Sequence, residues 1–340
     1  MSKLDPLKLV LSVVDQEYPN DISVKEVIKD KGLFRSATKL AERNGLYYYF
    51  IYRLKELGVE IPSSEDERWD EENRRLSEFK RTIELLNKVA KDYGICYIII
   101  KVSNATPYIP RDVDIFVRTE DRTRIIKALE DNGMKLEVSD VTETVLRKEG
   151  YIEVELYSTI CYLGKDFIDG DFLWEFNVKD TLFEIDYSGL NKESNFLLML
   201  IHRLMGHRSM SLLDFLHLKQ FRDDINLEKC RKYAIENGWG SVFDMALNKL
   251  NEIQEKLYKK DDSVSFPYLY DWDFILKCVS EIDDLQMNKT MFYISLLQDG
   301  IVFKLKDSFI YNLLKSFKPA RLIISFFTRN VRRMRGDVHG

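Results

Sequence analysis

Cysteine is scarce in this chain. Its 340 residues hold four, Cys96, Cys161, Cys230 and Cys278, scattered singly with no CxxC pair. That spacing supports neither a zinc site nor a disulfide framework, and it suits a reducing cytoplasm. Long hydrophobic runs are also lacking: no stretch approaches the ~20 apolar residues that a membrane-spanning helix needs. The amino-terminal stretch "MSKLDPLKLVLSVVDQEYPN" is broken by Asp15 and Glu17 and has no small-residue cleavage site, so no signal peptide is expected. Positive charge is not in excess either. Lys and Arg total 51 against 56 Asp and Glu, a formal charge of -5, which excludes a molecule that traps nucleic acid by net charge alone. Internal repeats and low-complexity segments are absent.

What remains is ordinary globular material in quantity. Hydrophobic residues make up 45% of the chain and aromatics 12%, enough for several cores, and the length suits two or three domains. Residues 1–60 read as helical. Residues 61–75, "IPSSEDERWDEENRR", read as an acidic linker running into a helix. From 76 to 93 apolar residues recur at helical spacing and stop at Gly94. "ICYIIIK" (95–101) then has strand length and β-branching, and Asp112–Arg118 reads as a second strand after a loop with Pro107 and Pro110. "TEDRTRIIKALEDNG" predicts a helix capped by Thr119 and ended by Gly133. "MKLEVSD", "ETVLRK" and "YIEVELYST" alternate as strands do, the last two around a tight "EG" turn. From about Ser188 helical periodicity returns and dominates.

The strand "PRDVDIFV" poses an electrostatic problem. Side chains alternate along a strand, so Asp112 and Asp114 share one face, about 7 Å apart, while Val113, Ile115 and Val117 share the other. Two carboxylates so placed repel unless a positive group sits between them. One solution is local: Asp112 as a strand-start residue and Asp114 paired with Arg111 or Arg118. The other is a divalent cation, since hard oxygen ligands of this kind suit Mg²⁺ together with substrate phosphates. "YIEVELY" offers further carboxylates, Glu153 and Glu155, again on one face. Upstream, "IIIKVSNA" ends a strand and opens a loop, with Ser103 nine residues before Asp112.

This arrangement of strand, small-residue loop, alternating Asp pair and later acid resembles the polymerase-beta-like nucleotidyltransferase superfamily. More narrowly, residues 80–220 are similar to a poorly characterised nucleotidyltransferase family with an L-K-G loop, an R-x-x-D-h-D-h strand, a "D/E-L-H"-like strand end and a His-containing helix. The resemblance implies metal-dependent transfer of a nucleoside monophosphate from a nucleoside triphosphate to an acceptor hydroxyl. It implies two Mg²⁺ ions, with Mn²⁺ as an alternative, held by Asp112, Asp114 and Glu155, with Glu153 as the fallback. Glu155 would also activate the acceptor hydroxyl. Lys101, Ser103, Asn104 and Arg111 would face the triphosphate, and His202 and Arg203 would adjoin nucleotide or acceptor. Two positions depart from the family pattern: Val102 stands where it has glycine, and Tyr157 where it has histidine. Valine at a phosphate-cradling position raises the alternative of a catalytically degenerate relative, because glycine is what lets backbone approach phosphate closely.

The remaining signals lie at the two ends. In "TKLAERNGLYYYFIYRLKELG", Ala41, Gly45, Ile51 and Leu54 fall at helix-turn-helix spacing, and the stretch resembles that superfamily. Its second helix would present Tyr48, Tyr49, Tyr52 and Arg53 to nucleic acid, or pack them on the next domain. The first 60 residues carry ten Lys and Arg against nine Asp and Glu, less basic than a typical DNA reader. His202 and His207, five apart, lack the spacing of a helical metal pair, and His217 reads as packing. The carboxy-terminal "ARLIISFFTRNVRRMRG" turns from apolar to basic, as would a peripheral membrane contact, an RNA-gripping arm or a docked helix with a basic end.

These observations predict an α+β chain: a small mixed nucleotidyltransferase-type sheet flanked by an N-terminal helix-turn-helix-like domain and a C-terminal helical domain. The expected boundaries are 1–60, an acidic linker at 61–75, a catalytic domain at 76–187, and a helical domain with a basic tail at 188–340. The leading expectation is a cytoplasmic nucleotidyltransferase whose acceptor is RNA, protein or sugar. The alternative is a catalytically degenerate relative that regulates DNA or RNA through its helix-turn-helix, and a third reading is a membrane-associated transferase.

Overall fold

The computed structural model describes residues 5–19, 29–102, 106, 108–139, 144–162, 165–259 and parts of 264–282. All lie in a compact unit spanning Met1–Leu285. The basic tail, the loop residues Ser103 and Asn104, and most of the segment before the first helix of the helix-turn-helix-like stretch lie outside the described residues.

Several helices begin where the sequence supplies a cap. Asp5 accepts from the Leu7 amide to start α1 (Pro6–Val14), with Pro6 in the first turn where its missing N–H costs nothing. Asp30 accepts from the Gly32 and Leu33 amides to start α2 (Lys31–Arg43). A short turn at Gly45, with φ at 72°, leads into α3 (Tyr47–Glu56). Ala41, Ile51 and Leu54 are fully buried in this three-helix corner.

Most of residues 61–75, expected as an acidic linker running into a helix, already belong to that helix. A single 3₁₀ turn at Ser63–Glu65 leads directly into α4 (Asp66–Tyr93), a 28-residue helix. The acids of the supposed linker are its first turns, where negative charge meets the positive end of the helix dipole. Gly94, left-handed at φ 62°, ends it as expected. Thr119 does not cap: Thr119–Asp121 forms a 3₁₀ turn that feeds α5 (Arg122–Asp131) with no side-chain cap.

The central sheet has five strands in the order β1-β2-β5-β4-β3. They are β1 (Ile98–Ile99), β2 (Asp112–Phe116), β3 (Lys135–Ser139), β4 (Thr144–Arg147) and β5 (Glu153–Tyr157). β2 and β5 run parallel, and every other pair is antiparallel, so the sheet is mixed as expected. "ICYIIIK" contributes only two paired residues, because Lys101 turns left-handed at φ 63° and carries the backbone off the sheet. Val113 and Ile115 of β2 and Val154 and Leu156 of β5 are buried with Phe79, Ile83, Leu86 and Val89 of α4 and Ile125 and Leu129 of α5. The alternate positions of the two strands are left to Asp112, Asp114, Glu153 and Glu155.

Beyond β5 come elements that the sequence pattern does not reveal. A hairpin β6 (Ile160–Tyr162) and β7 (Lys165–Ile168) is followed by α6 (Gly170–Glu175) and a second hairpin, β8 (Asn177–Leu182) and β9 (Ile185–Leu190). The helical part then runs α7 (Lys192–Ile201), a π-helical segment His202–His207, α8 (Leu212–Asp224), α9 (Leu227–Glu236) and α10 (Gly240–Tyr258). A two-stranded pair, β10 (Ser209–Met210) with β11 (Tyr268–Leu269), closes it. A capping box between Ser211 and Asp214 starts α8. The N-terminal helices meet the later helical part here: the Leu212 amide at the head of α8 donates to Asn44 Oδ1 in the α2–α3 turn. No helix among the described residues is long and apolar enough to cross a membrane.

Candidate active site

The parallel register of β2 and β5 decides which acids meet. Asp112 lies beside Glu153, and Asp114 beside Glu155. Four carboxylates therefore share the sheet face turned away from the core. Asp114 and Glu155 are buried, and Asp112 is partly so. Burial, and then the charge of Asp114, push the Asp112 carboxyl up to about 6. The Asp112 carboxylate is thus costly to keep ionised without a compensating cation.

Each neighbouring acid already has a local partner. Arg147 bonds Glu153 through Nε and Glu137 through a second nitrogen at 2.8 Å, so Glu153 is tied to the outer strands. The Tyr157 hydroxyl donates to Glu155 Oε2 at 2.6 Å. Tyr157, one of the departures from the family pattern, therefore orients the third carboxylate. Asp114 pairs with neither Arg111 nor Arg118. Its partner is Lys101, whose Nζ donates to Asp114 Oδ1 at 2.8 Å and lies 4.6 Å from the Tyr157 ring centre. Burial works most strongly against the Lys101 charge, but Asp114, Tyr162 and Glu155 together outweigh it and raise the lysine above its ordinary value. Arg111 is exposed at the start of β2, and Arg118 stands over Trp174.

The second departure, Val102, is accommodated in a particular way. Its side chain is buried in the core with Val113, Ile115 and Val154, on the face away from the carboxylates. Its carbonyl accepts from Asn195 Nδ2 at 2.7 Å. The left-handed conformation that glycine would readily supply is adopted one residue earlier, by Lys101.

Several residues around Lys101 have little or no signal in the sequence. The Tyr108 hydroxyl donates to the Lys101 carbonyl at 2.9 Å. Tyr162, from the β6–β7 hairpin, lies where it feels the charges of both Lys101 and Asp114. Burial pushes its hydroxyl up to about 12, and it bonds His202 Nδ1 at 2.7 Å. His202 is held neutral, well below its usual value, by burial and then by Lys101. His207 packs edge-on against it at 4.5 Å between ring centres. Arg203 pairs with Asp214 at 3.0 Å. His202 and Arg203 sit in a π-helical segment, a rare geometry found disproportionately at functional sites. Spacing does not reveal Tyr162, since only the fold brings it to β2.

The proposed nucleic-acid positions have mixed surroundings. Tyr48 stacks on Trp69 of α4 at 5.2 Å and meets Phe183 edge-on, so it packs on the sheet-bearing part of the fold. Tyr49 is half-buried, Arg53 pairs with Glu56, and Tyr52 is exposed. His217 is buried, as expected, and bonds the Thr106 carbonyl at 3.2 Å.

The mixed sheet thus carries an alternating Asp pair and a facing acid, and the sequence comparison covers this region. Residues 108–253 match the model of a family described as an uncharacterised nucleotidyltransferase. Over that segment, which is less than half of the chain, the sequence is similar to that family. The match contains Asp112, Asp114, Glu155 and the π-helical segment, and begins just after Lys101. No curated protein matches the chain. Among solved structures, the lincosamide antibiotic adenylyltransferase LnuA, lincomycin-bound, is 17% identical with a TM-score of 0.33 over 43% of this chain and 98% of its own. The antibiotic-resistance factor ANT(2'')-Ia is 10% identical with a TM-score of 0.34 over 51% and 96%. At such values neither likeness carries an argument.

Proposed function

We propose that the chain transfers a nucleoside monophosphate from a nucleoside triphosphate to an acceptor hydroxyl, releasing pyrophosphate and using Mg²⁺ or Mn²⁺. The observation that supports this most is the register of β2 and β5, which sets Asp112, Asp114 and Glu155 on one face of the sheet. The catalytic domain would run from 76 to 187, flanked by the N-terminal helices and the C-terminal helical part.

The donor set fits a hard divalent cation. Among the described residues no three His, Cys, Asp or Glu side chains form a ready-made metal cage. An Asp pair is nevertheless what Mg²⁺ uses when substrate phosphates complete its shell. Asp112 and Asp114 would hold it, with Glu155 beside them. Such ions neutralise charge on the transferring phosphoryl group. The chain's own residues do the rest. Lys101 supplies a positive charge for the triphosphate. Glu155, oriented by Tyr157, accepts the proton of the attacking acceptor hydroxyl. Tyr162 and His202 wall the site on the side of the π-helical segment.

The acceptor class, whether RNA, protein or sugar, is open to direct assay. Incubation with each α-labelled nucleoside triphosphate, Mg²⁺ and cell extract should label one acceptor class with one preferred nucleotide. No label with any of the four, under conditions where the protein is folded, would sink the proposal.

A further inference from the structure

Lys101 is one of four non-glycine residues with positive φ among the described residues. Such a conformation is disfavoured for an L side chain and persists only where surrounding contacts hold it. The contacts are present on both sides of the bend. Tyr108 Oη donates to the Lys101 carbonyl at 2.9 Å, Asn195 Nδ2 donates to the Val102 carbonyl at 2.7 Å, and the Val102 side chain is buried in the core. The bend sends residue 102 into the core and residue 101 to the carboxylates. There the ammonium lies 2.8 Å from Asp114 Oδ1, with its side chain 13% exposed.

That position conflicts with a divalent ion on the same oxygen. Carboxylate oxygens bind Mg²⁺ at about 2.1 Å, and an ammonium 2.8 Å from that oxygen would face the ion across a few ångströms. We propose that Lys101 is an exchangeable counter-ion: its ammonium neutralises Asp114 in the nucleotide-free enzyme and passes to the triphosphate when a divalent cation takes Asp114. The inference rests on the nucleotidyl-transfer reading above. Lysine suits the task because it carries a compact charge on a flexible four-carbon stem. An arginine fork would bond a carboxylate with two parallel N–H groups and resist release.

The exchange makes two predictions of opposite sign. In Lys101→Met, Mn²⁺ alone, titrated by its electron paramagnetic resonance signal, should bind about tenfold more tightly than in wild type, the scale of removing one unit charge near an ion in a partly screened site. A non-hydrolysable nucleoside triphosphate analogue should bind the same variant about tenfold more weakly. A lysine that only supports the fold would weaken both. Lys101→Gln serves if the methionine variant fails to fold, and Lys101→Arg should bind Mn²⁺ no better than wild type. Unchanged or weaker Mn²⁺ binding in a folded Lys101→Met or Lys101→Gln protein overturns the exchange, as does the absence of binding in all variants. The Mn²⁺ arm needs no catalysis. Failure of the exchange therefore shows in the titration, and failure of the nucleotidyl-transfer reading shows separately as absence of labelled product.

Discussion

Asp114 carries the most at the scale of single residues. It is buried, it adjoins Glu155 by strand register, and it holds the Lys101 ammonium. Replacing Asp112 or Asp114 with Asn removes a unit charge without changing shape. Each change should lower the transfer rate by about a thousandfold, the several kcal/mol that charge stabilisation of this kind supplies. Tyr157→Phe deletes only the hydroxyl on Glu155 Oε2. A hydrogen bond to a charged group contributes roughly 1.5–3 kcal/mol, so the rate should fall about 10- to 100-fold with KM for the nucleotide little changed. Equal effects on kcat and KM would argue that the hydroxyl merely supports the site. The Asp pair is legible in the sequence because period two along one strand is a local property. So is Lys101, as the last residue of an apolar run. Its left-handed backbone, and the hydroxyls of Tyr157 and Tyr162 around it, are not. They depend on which strands lie side by side and on a hairpin whose residues show no clear alternation.

At the scale of elements, α8 ties the fold together. Lys219 on α8 is nearly inaccessible, and its Nζ meets Asp15 at 2.8 Å just past α1, while Tyr258 at the end of α10 donates to the same aspartate at 2.7 Å. Removing one partner of a buried pair leaves an uncompensated charge. Lys219→Met should therefore cost about 3–5 kcal/mol in denaturant unfolding. The double variant Lys219→Met/Asp15→Leu should recover much of that loss. Nearby on the same helix, His217 is buried, donates through Nε2 to the Thr106 carbonyl, and has its pKa pushed down to about 4 by burial first. Between about 4 and the ordinary value near 6.5 the unfolded chain takes up a proton that the folded chain refuses. Stability is therefore complete above pH 6.5 and is lost as pH falls toward 4, by up to about 3 kcal/mol from this residue. Melting curves of wild type and His217→Gln across pH 7 to 4.5 should show a shallower decline in the variant. The helices here are readable from periodicity, as are Gly94 and the paired strands around Gly150. The start of α4 is hidden because a dense run of acids resembles a linker in composition. Whether it is a linker or a helix depends on Trp69 stacking on Tyr48, a tertiary contact.

Across the whole molecule, the segments that read as separate domains are joined by buried contacts. The α2–α3 turn bonds α8 through Asn44, Gly45 leaves room for only a 3.2 Å approach between an added Cβ and Leu213, and Asp15 anchors Lys219. Deleting residues 1–60 should expose Lys219 and the apolar surface under α1, and should lower or abolish the cooperative melt instead of releasing an intact catalytic domain. A deletion protein melting at the wild-type temperature would contradict this. The sequence does not announce such sharing, because amphipathic helices reveal that they have a buried face but not which helix covers it. Tyr48 illustrates the point: its aromatic face reads equally as a base-stacking surface or a packing one, and Trp69 and Phe183 occupy it.

That the acids of β2 and β5 carry nucleotidyl transfer is tested most directly by comparing wild type with Asp114→Asn. The measurement is Mg²⁺-dependent incorporation of an α-labelled nucleoside triphosphate into product, with circular dichroism to confirm that both proteins are folded. Labelled product is expected from wild type and about a thousandfold less from the variant. Equal labelling by the two folded proteins would contradict the assignment.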